Sequence, residues 1–379
     1  MDMKKEIKLS DLIPKRKPGG ASKPGKAVAK KKKAKQDYVG VKVGASQIAA
    51  AEVHNNGGSK IVKLAREPLE AGVVVGGEVR DIPALARALD EFFKKHELPR
   101  KGVRLGIGTN RVGVRVLDVD GIDDEKQLAN AVTFRAHEAL SIPMDQAVMD
   151  YHVVGSQTLD GGNVSHRVIL AAAYREPIDH FAAAFDAAEI QLDAIDVEAF
   201  ALLRAVAPPS SSSDEERAAV VALALGFDRT TLAISDGKVC DFTRVLEWGG
   251  GRLDAAIARE LGVTTEEAEE IKLGLSLNDD DPANARARNA VKHELTTLSR
   301  ELVASLQFYQ AQPDSLALLE ILVTGGTTRM PGFVEELERL VRARVRPADP
   351  LGAVSADANI SARNDLASLA IAIGLGVDR

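Results

Sequence analysis

Three turns that contain glycine are the segments of this sequence best suited to bind an anion. Each borders an apolar, strand-like run, and together they hold Gly44 with Ser46, Gly226 with Thr230, and Gly325 with Gly326 and Thr327. A turn without a Cβ lets backbone N–H groups approach a phosphate closely. The third turn also ends a strand and opens a helix, which suits an adenosine or an α-phosphate. One such turn alone is more often a plain turn, but three in this order predict a phosphate-binding cleft.

Two strand–turn–strand units carry the first two of these turns. Residues 38–52 contain two apolar runs around Gly44, and residues 218–235 repeat the arrangement in the second half of the chain. Between them, residues 208–214 (PPSSSSD) predict a flexible joint. Each unit is followed by helical stripes, so the sequence predicts two similar α/β lobes with a ligand cleft between them.

Apolar periodicity predicts the remaining helices and strands. Predicted helices cover 82–96, 125–140, a segment opened by Pro177, a segment ending at Ala207, 250–262, 265–275, 290–312 and 332–345. Predicted strands cover 148–155, 164–174, 193–197, 239–246 and 318–323, and residues 103–120 alternate like two strands.

The composition excludes several classes of protein. The hydrophobic content of 45% supports a substantial core, and the low aromatic content of 4% favours parallel strands alternating with helices. The single cysteine, Cys240, excludes an intramolecular disulfide and a multi-thiolate metal site, and we expect it to be buried. The longest apolar run, residues 218–227, has about half the length of a membrane span, and the N-terminus is too polar for a signal peptide. We therefore expect a cytoplasmic protein.

The charge of the chain is unevenly distributed. Residues 1–37 contain thirteen basic and four acidic residues, a net charge of +9, so the remainder carries −15 of the overall −6. An acidic body is a poor general binder of nucleic acid, and none is expected as a partner. Residues 1–36 predict a disordered basic tail, because residues 14–35 are mainly Lys, Pro, Gly and Ala. The seven histidines are scattered singly, and no metal site is predicted.

The order of these features resembles that of the actin-like ATPases. The similarity is greatest to the PilM family of type IV pilus assembly proteins, which is itself similar to the division protein FtsA. It covers roughly residues 38–379 and is carried by the segments 39–53 (VGVKVGASQIAAAEV), 135–154, 192–205, 301–310 and 322–333 (LVTGGTTRMPGF).

The resemblance implies an α/β, actin-like two-lobed (ribonuclease H-like) fold with a small α/β subdomain inserted in the first lobe. The implied units are the first lobe at 37–114 and 191–207, the inserted subdomain at 115–190, a linker at 208–217, the second lobe at 218–263 and 316–379, and its upper subdomain at 264–315.

The resemblance also implies an ATP site. The three glycine turns would hold the phosphates, and Glu269 with Lys272 would reach the ribose, although these two also fit an ordinary solvated pair on a helix. Glu198 would lie near the attacking water as the one candidate catalytic residue.

Two positions depart from the actin-like pattern. The family has acidic residues where this chain has Lys42 and Ala224. Those carboxylates normally organise Mg²⁺ and its waters around the phosphates. Lys42 would instead bring an ammonium to the phosphates. Our hypothesis is that ATP binds weakly or without Mg²⁺ and is hydrolysed very slowly or not at all; the alternative is a decayed, empty site.

The function that the resemblance implies is a cytoplasmic scaffold at the inner face of the membrane. It would bind a PilN-like inner-membrane protein in a groove between the first lobe and the inserted subdomain, and transmit the state of the pilus motor ATPases. Two alternatives remain: an active actin-like ATPase, and a filament-forming division-type protein. The second is disfavoured because residues 374–379 contain no amphipathic membrane helix.

The basic tail contains a short apolar cluster that resembles the docking segment of PilN. Its members are Ile7, Leu9, Leu12, Ile13 and Pro14. The tail could occupy the partner groove of its own molecule or of a neighbour, which would cause self-association. Its thirteen basic residues also predict contact with anionic lipids, and the alternative is a solvated tail without specific contacts.

Overall fold

A computed structural model describes residues 36–122, 124–140, 142–159, 163–207, 218–237, 239–313 and 315–378. The predicted docking segment (Ile7, Leu9, Leu12, Ile13 and Pro14) and the predicted linker at 208–217 lie outside these residues. The described residues form four β-sheets, two of them large, and ten α-helices.

The first large sheet has six strands in the order β10-β6-β1-β2-β3-β16. Strands β1, β2 and β3 form an antiparallel meander, and β6 and β10 extend it in parallel. The strands are β1 (Gln36–Val43), β2 (Gln47–Asn55), β3 (Ser59–Pro68), β6 (Val103–Ile107), β10 (Leu192–Val197) and β16 (Ser355–Ala356). A separate two-stranded hairpin, β4 (Val74–Val75) with β5 (Glu78–Val79), follows β3. We call the part built on the six-stranded sheet the first lobe.

The second large sheet repeats this plan with five strands in the order β13-β12-β11-β14-β15. Strands β11 to β13 are antiparallel, and β14 and β15 add in parallel. The strands are β11 (Ala219–Leu225), β12 (Thr230–Ser235), β13 (Cys240–Leu246), β14 (Leu318–Gly325) and β15 (Val345–Pro347). We call the part built on this sheet the second lobe. Cys240 is buried in it as predicted, and burial raises the pKa of its thiol.

A three-stranded antiparallel sheet, in the order β7-β9-β8, is inserted in the first lobe. Its strands are β7 (Val112–Asp120), β8 (Ala147–Thr158) and β9 (Val164–Tyr174), and helix α2 (Glu125–Ala139) covers one face. Leu128 and Val132 of α2 pack there against Val168 and Leu170 of β9. The sheet thus spans 112–174, whereas the implied subdomain was 115–190. The difference arises because Phe181 and Phe185, downstream of β9, pack into the core of the first lobe.

The remaining helices cover the two large sheets. Helix α1 begins after Asp81, whose carboxylate accepts from the N–H of Ala84, and α6 begins with a complete capping box between Thr264 and Glu267. The helices are α1 (Ile82–Lys95), α3 (Arg175–Ala187), α4 (Glu198–Val206), α5 (Gly251–Leu261), α6 (Thr265–Gly274), α7 (Ala285–Gln310), α8 (Phe333–Val341), α9 (Ala358–Ser361) and α10 (Ala370–Gly376). Short 3-10 helices lie at Met144–Gln146, Pro282–Asn284, Gly326–Arg329 and Leu366–Leu369.

Helix α10 joins the C-terminal segment to the first lobe. It is buried along its whole length and packs against α4 and strands β1 and β2. The approach is close: a Cβ on Gly374 would lie 1.8 Å from the carbonyl oxygen of Ala201, and one on Gly40 would lie 2.1 Å from that of Ala372. The implied second lobe ran to residue 379, but β16 and α10 belong by their contacts to the first lobe.

Candidate functional site

The three glycine turns line one cavity between the two lobes. The first turn, between β1 and β2, contributes Gly44 and Ser46, and the second, after β11, contributes Gly226. The third, after β14, contributes Gly325, Gly326 and Thr327. The cavity has a volume of about 600 Å³, which lies within the range of small-molecule sites. Turns separated by more than 270 residues of sequence are therefore neighbours in space.

Glycine is required at the third turn. Gly325 has a φ of +116°, and a Cβ there would lie 2.1 Å from the carbonyl oxygen of Leu225. A side chain would thus force β14 away from β11. The first turn is closed differently, since the N–H of Gly44 donates to the carbonyl oxygen of Gln47 at 2.9 Å. The second turn closes through the N–H of Gly226, which donates to the carbonyl oxygen of Arg229 at 2.9 Å.

Helix α6 contributes the predicted ribose contacts, Glu269 and Lys272, to the cavity wall. The ammonium of Lys272 does not pair with Glu269 in this structure. It lies 2.6 Å from Oδ1 of Asp254, a buried residue of α5. Burial raises the pKa of Asp254, and the Lys272 ammonium acts against that rise. The sequence analysis did not identify Asp254, which lies eighteen residues upstream on another helix.

Lys42 lines the cavity, and Glu198 lies behind it at the start of α4. Lys42 Nζ is 3.5 Å from Glu198 Oε2, which also accepts a hydrogen bond from Thr231 Oγ1 at 3.0 Å. The other carboxylate oxygen of Glu198 is buried without a hydrogen-bond partner. Glu198 itself is not among the residues that line the cavity. The Lys42 ammonium therefore faces a carboxylate on one side and the cavity on the other.

Thr230 is not among the residues that line the cavity, unlike Gly226, the other predicted residue of the second turn. It is fully buried, and its hydroxyl donates to the carbonyl oxygen of Trp248 at 2.7 Å. Thr230 is already the first residue of β12, where its hydroxyl is used inside the sheet. Its predicted contact with a phosphate is therefore corrected: the cavity residues after Gly226 are Phe227, Asp228 and Arg229.

The cavity wall is predominantly cationic. Its basic side chains are Lys42, Arg66, Arg229, Lys272 and Arg329, and its acidic side chains are Asp228 and Glu269. This balance favours an anionic ligand. Sequence analysis did not find Arg66, because β3 was not predicted. It assigned no role to Arg229 and Arg329, which lie in the second and third glycine turns.

The donor set of the cavity does not fit a metal held in the way usual for the implied family. The two positions where carboxylates would hold Mg²⁺ are Lys42 and Ala224, and both line the cavity. Two buried carboxylates next to the wall are already paired, Glu198 with Lys42 and Thr231, and Asp254 with Lys272. Within the described residues, no group of three or more His, Cys, Asp or Glu side chains could hold a metal ion.

A second, much smaller concavity lies between the first lobe and the inserted sheet. It has a volume of about 10 Å³ and is lined by Ile107, Val112, Tyr174 and Phe181, among others. The guanidinium of Arg111 covers it, lying 4.6 Å from the centre of the Tyr174 ring and pairing with Glu78 at 3.4 Å and Glu176 at 3.3 Å. It is an apolar seam with acidic groups at its edge.

Comparisons with known proteins agree with this architecture. A family profile described as type IV pilus assembly protein PilM matches residues 40–379. The cell division protein FtsA of Pseudomonas aeruginosa is 25% identical over an alignment of 356 residues, which covers 82% of this chain and 82% of that protein. A solved PilM–PilN type IV pilus biogenesis complex superposes with a TM-score of 0.73 at 24% identity, over 89% of this chain and 97% of that one. The ethanolamine utilization protein EutJ of Carboxydothermus hydrogenoformans superposes with a TM-score of 0.52 at 17% identity, over 97% of this chain and 96% of that one.

Proposed function

This chain belongs to the PilM family of type IV pilus assembly proteins, and we propose that it is a cytoplasmic scaffold of the pilus assembly platform. It has the α/β, actin-like two-lobed fold that the sequence predicted. In the proposal, its central cavity binds ATP with little or no hydrolysis. Its inserted sheet and first lobe together bind the cytoplasmic segment of a PilN-like membrane protein.

One observation carries the nucleotide part of the proposal: three glycine turns from both lobes converge on a single cationic cavity. Backbone N–H groups at such turns can approach phosphates, and cationic side chains compensate their charge. Gly44, Ser46 and Gly226 would face the β- and γ-phosphates. Gly325 and Gly326 would face the nucleoside end.

The proposal includes binding without Mg²⁺. When bound to a nucleotide, Mg²⁺ neutralises phosphate charge and orders water. This chain has Lys42 and Ala224 where carboxylates would hold that metal, so its own cations must compensate the charge. Glu198 is held by Lys42 and Thr231, which keeps it from acting as a free general base. Slow or absent hydrolysis follows from this arrangement.

Titration calorimetry tests the nucleotide part. ATP is titrated into the full chain in the presence of Mg²⁺ and again with a chelator. We expect measurable binding in both conditions, with affinities within about threefold of each other. Phosphate release should stay at the level of the buffer. Binding that strictly requires Mg²⁺, with steady turnover, would support the alternative of an active actin-like ATPase.

The seam between the first lobe and the inserted sheet supports the partner part of the proposal. Its apolar lining suits a short apolar segment, and the carboxylates of Glu78 and Glu176 suit basic residues that follow such a segment. The seam is narrow, so a peptide would have to displace the Arg111 side chain from Tyr174.

Three related proposals rest on the sequence alone. They are contact of the tail at 1–36 with anionic lipid, self-association through that tail, and contact with pilus motor ATPases. Among the described residues, no helix has the length and apolar content needed to cross a membrane.

Binding of a labelled peptide that corresponds to the cytoplasmic segment of a PilN-like protein tests the partner part. Tyr174→Ala should weaken binding about tenfold or more, since a partly buried aromatic anchor commonly dominates such an interface. Tyr151→Ala is the matched control, because Tyr151 is a partly buried tyrosine on the same sheet but outside the seam. Equal effects of the two substitutions would count against this groove.

A further inference from the structure

Arg229 is a buried cation whose guanidinium makes no hydrogen bond within the described part of the chain. The residue is 7% exposed, and its Nη1 is buried without an acceptor. Nη1 forms a long ion pair with Oδ2 of Asp228, at 3.6 Å, which lies beyond hydrogen-bonding distance. Burying a guanidinium without acceptors is strongly unfavourable. Such a group indicates that an acceptor arrives from outside the chain.

The other cations of the cavity wall are less deeply buried or make shorter contacts. The Lys42 side chain, 18% exposed, pairs with Glu198 at 3.5 Å, and Lys272 donates to Asp254 at 2.7 Å. Arg66 and Arg329 are exposed to solvent, where water satisfies them. Arg229 therefore combines burial, an unsatisfied donor and a place in the cavity wall. Its fork of donors matches the oxygens of a phosphate.

The first lobe also contacts the Arg229 guanidinium. The tip of the β4–β5 hairpin packs on it so closely that a Cβ on Gly77 would lie 2.2 Å from Arg229 Nη1. The adjacent N–H, that of Gly76, donates to Oδ2 of Asp228 at 2.9 Å. The Asp228–Arg229 turn of the second lobe is thus fixed by a hairpin of the first lobe, beside the cavity.

We propose that Arg229 binds the terminal phosphates of the nucleotide and that the close packing of Gly77, at the tip of the β4–β5 hairpin, positions its guanidinium for this contact. The inference rests on the proposed nucleotide site. Arg229 follows the second glycine turn, which faces the end of the cavity assigned to the β- and γ-phosphates. It supplies there the positive charge that a metal supplies elsewhere. Because the residue touches both lobes, an anion bound to Arg229 also links them.

Calorimetry on the full chain with a chelator present tests the role of Arg229. Arg229→Gln should weaken ATP binding about tenfold or more, because a buried charge pair is lost, and should weaken ADP binding less. Arg252→Gln is the matched control: it removes an exposed arginine of the second lobe that does not line the cavity and should change ATP affinity by less than about threefold. If the wild type binds ATP and Arg229→Gln binds it equally well, the inference is wrong although the proposed function stands.

The hairpin contact has its own matched pair of variants. Gly76 and Gly77 both have a positive φ, of 61° and 77°, so alanine strains the backbone similarly at either position. Only a Cβ at Gly77 meets the guanidinium, whereas one at Gly76 has nothing within 4 Å. Gly77→Ala should therefore lower ATP affinity as Arg229→Gln does, and Gly76→Ala should not. Equal affinities for the two alanine variants would overturn the positioning role.

A thermal-shift experiment with tripolyphosphate separates this inference from the proposed function. Tripolyphosphate has the anionic part of ATP without the nucleoside. It should raise the Tm of the wild type and leave that of Arg229→Gln unchanged. If the wild type does not bind ATP but its Tm responds to tripolyphosphate in this way, the proposed function is wrong and the anion site at Arg229 stands. A wild type that responds to neither ligand would refute both.

Discussion

Lys42 Nζ lies 3.5 Å from Oε2 of Glu198 beneath the cavity. The Glu198 side chain is 1% exposed and that of Lys42 is 18% exposed, so the lysine is the cation that compensates a buried carboxylate. The same carboxylate oxygen accepts from Thr231 of the second lobe. Lys42 thus has a structural role in the protein, in addition to any contact with a ligand. At a position that is acidic in the actin-like pattern, this chain thus places a cation beside the buried carboxyl group of Glu198.

Removing the charge of Lys42 should destabilise the protein. Lys42→Met leaves Glu198 buried without a cation, which typically costs about 3 kcal/mol. Urea unfolding measures this change in the free energy of unfolding. In a Glu198→Gln background the same substitution should cost less than about 1 kcal/mol, because the charge to be compensated is gone. Equal costs in the two backgrounds would show that the two residues are not coupled.

The two glycines of the third turn should differ in how much an alanine substitution destabilises the protein. Gly325→Ala should destabilise the protein by about 2 kcal/mol or more, because the residue has a positive φ and its Cβ would meet the carbonyl oxygen of Leu225. Gly326→Ala is the control, since its nearest neighbour, Ser368 Oγ, would lie 3.4 Å from the Cβ. It should cost less than about 1 kcal/mol. Thermal unfolding of both variants measures the difference.

Local pattern was sufficient to predict most of the fold. The predicted helix at 82–96 is confirmed by α1, and the predicted strand–turn–strand unit around Gly44 is confirmed by β1 with β2. Both could be predicted because their apolar residues recur at regular spacing, and the strand pair also has a glycine at its turn. Strand β3 and the β4–β5 hairpin were not predicted. In β3, charged residues such as Lys60 and Lys63 interrupt the alternation, and the hairpin strands have only two residues each.

Helix α10 was missed because its seven residues, AIAIGLG, contain two glycines and no polar face. Its position depends on close contacts to residues far away in sequence, such as Ala201.

The candidate site likewise depends on contacts between residues that are distant in sequence. The glycine turns could be identified from the sequence, but the partners of Lys42 and Lys272 lie on other elements. Neither the pairing with Glu198 nor that with Asp254 has a local signal.

Ala224 allows a direct test of the proposed metal independence. Ala224→Asp places a carboxylate in the cavity wall, where it repels the phosphates in the absence of metal. We expect ATP affinity with a chelator to fall about tenfold and to recover at least in part with Mg²⁺. Ala224→Asn has nearly the same shape without the charge, and its ATP affinity should not depend on Mg²⁺. Calorimetry in the two conditions measures both, and an unchanged metal dependence in Ala224→Asp would contradict the proposed charge balance.

The stability of the second lobe should depend on pH through Glu320. Its carboxylate accepts two hydrogen bonds from Arg346, at 2.6 and 2.7 Å, and this contact lowers the pKa of Glu320. Because the folded pKa is below the unfolded value of about 4.3, the stabilisation is complete above about pH 5 and is lost as the pH falls through the folded pKa. Glu320→Gln should therefore cost about 1 kcal/mol at pH 7, a modest value because Arg346 is half exposed. In urea unfolding at pH 7, 5, 4 and 3 the difference from the wild type should shrink towards zero at the acidic end, and a difference that is constant with pH would show that the loss is not electrostatic.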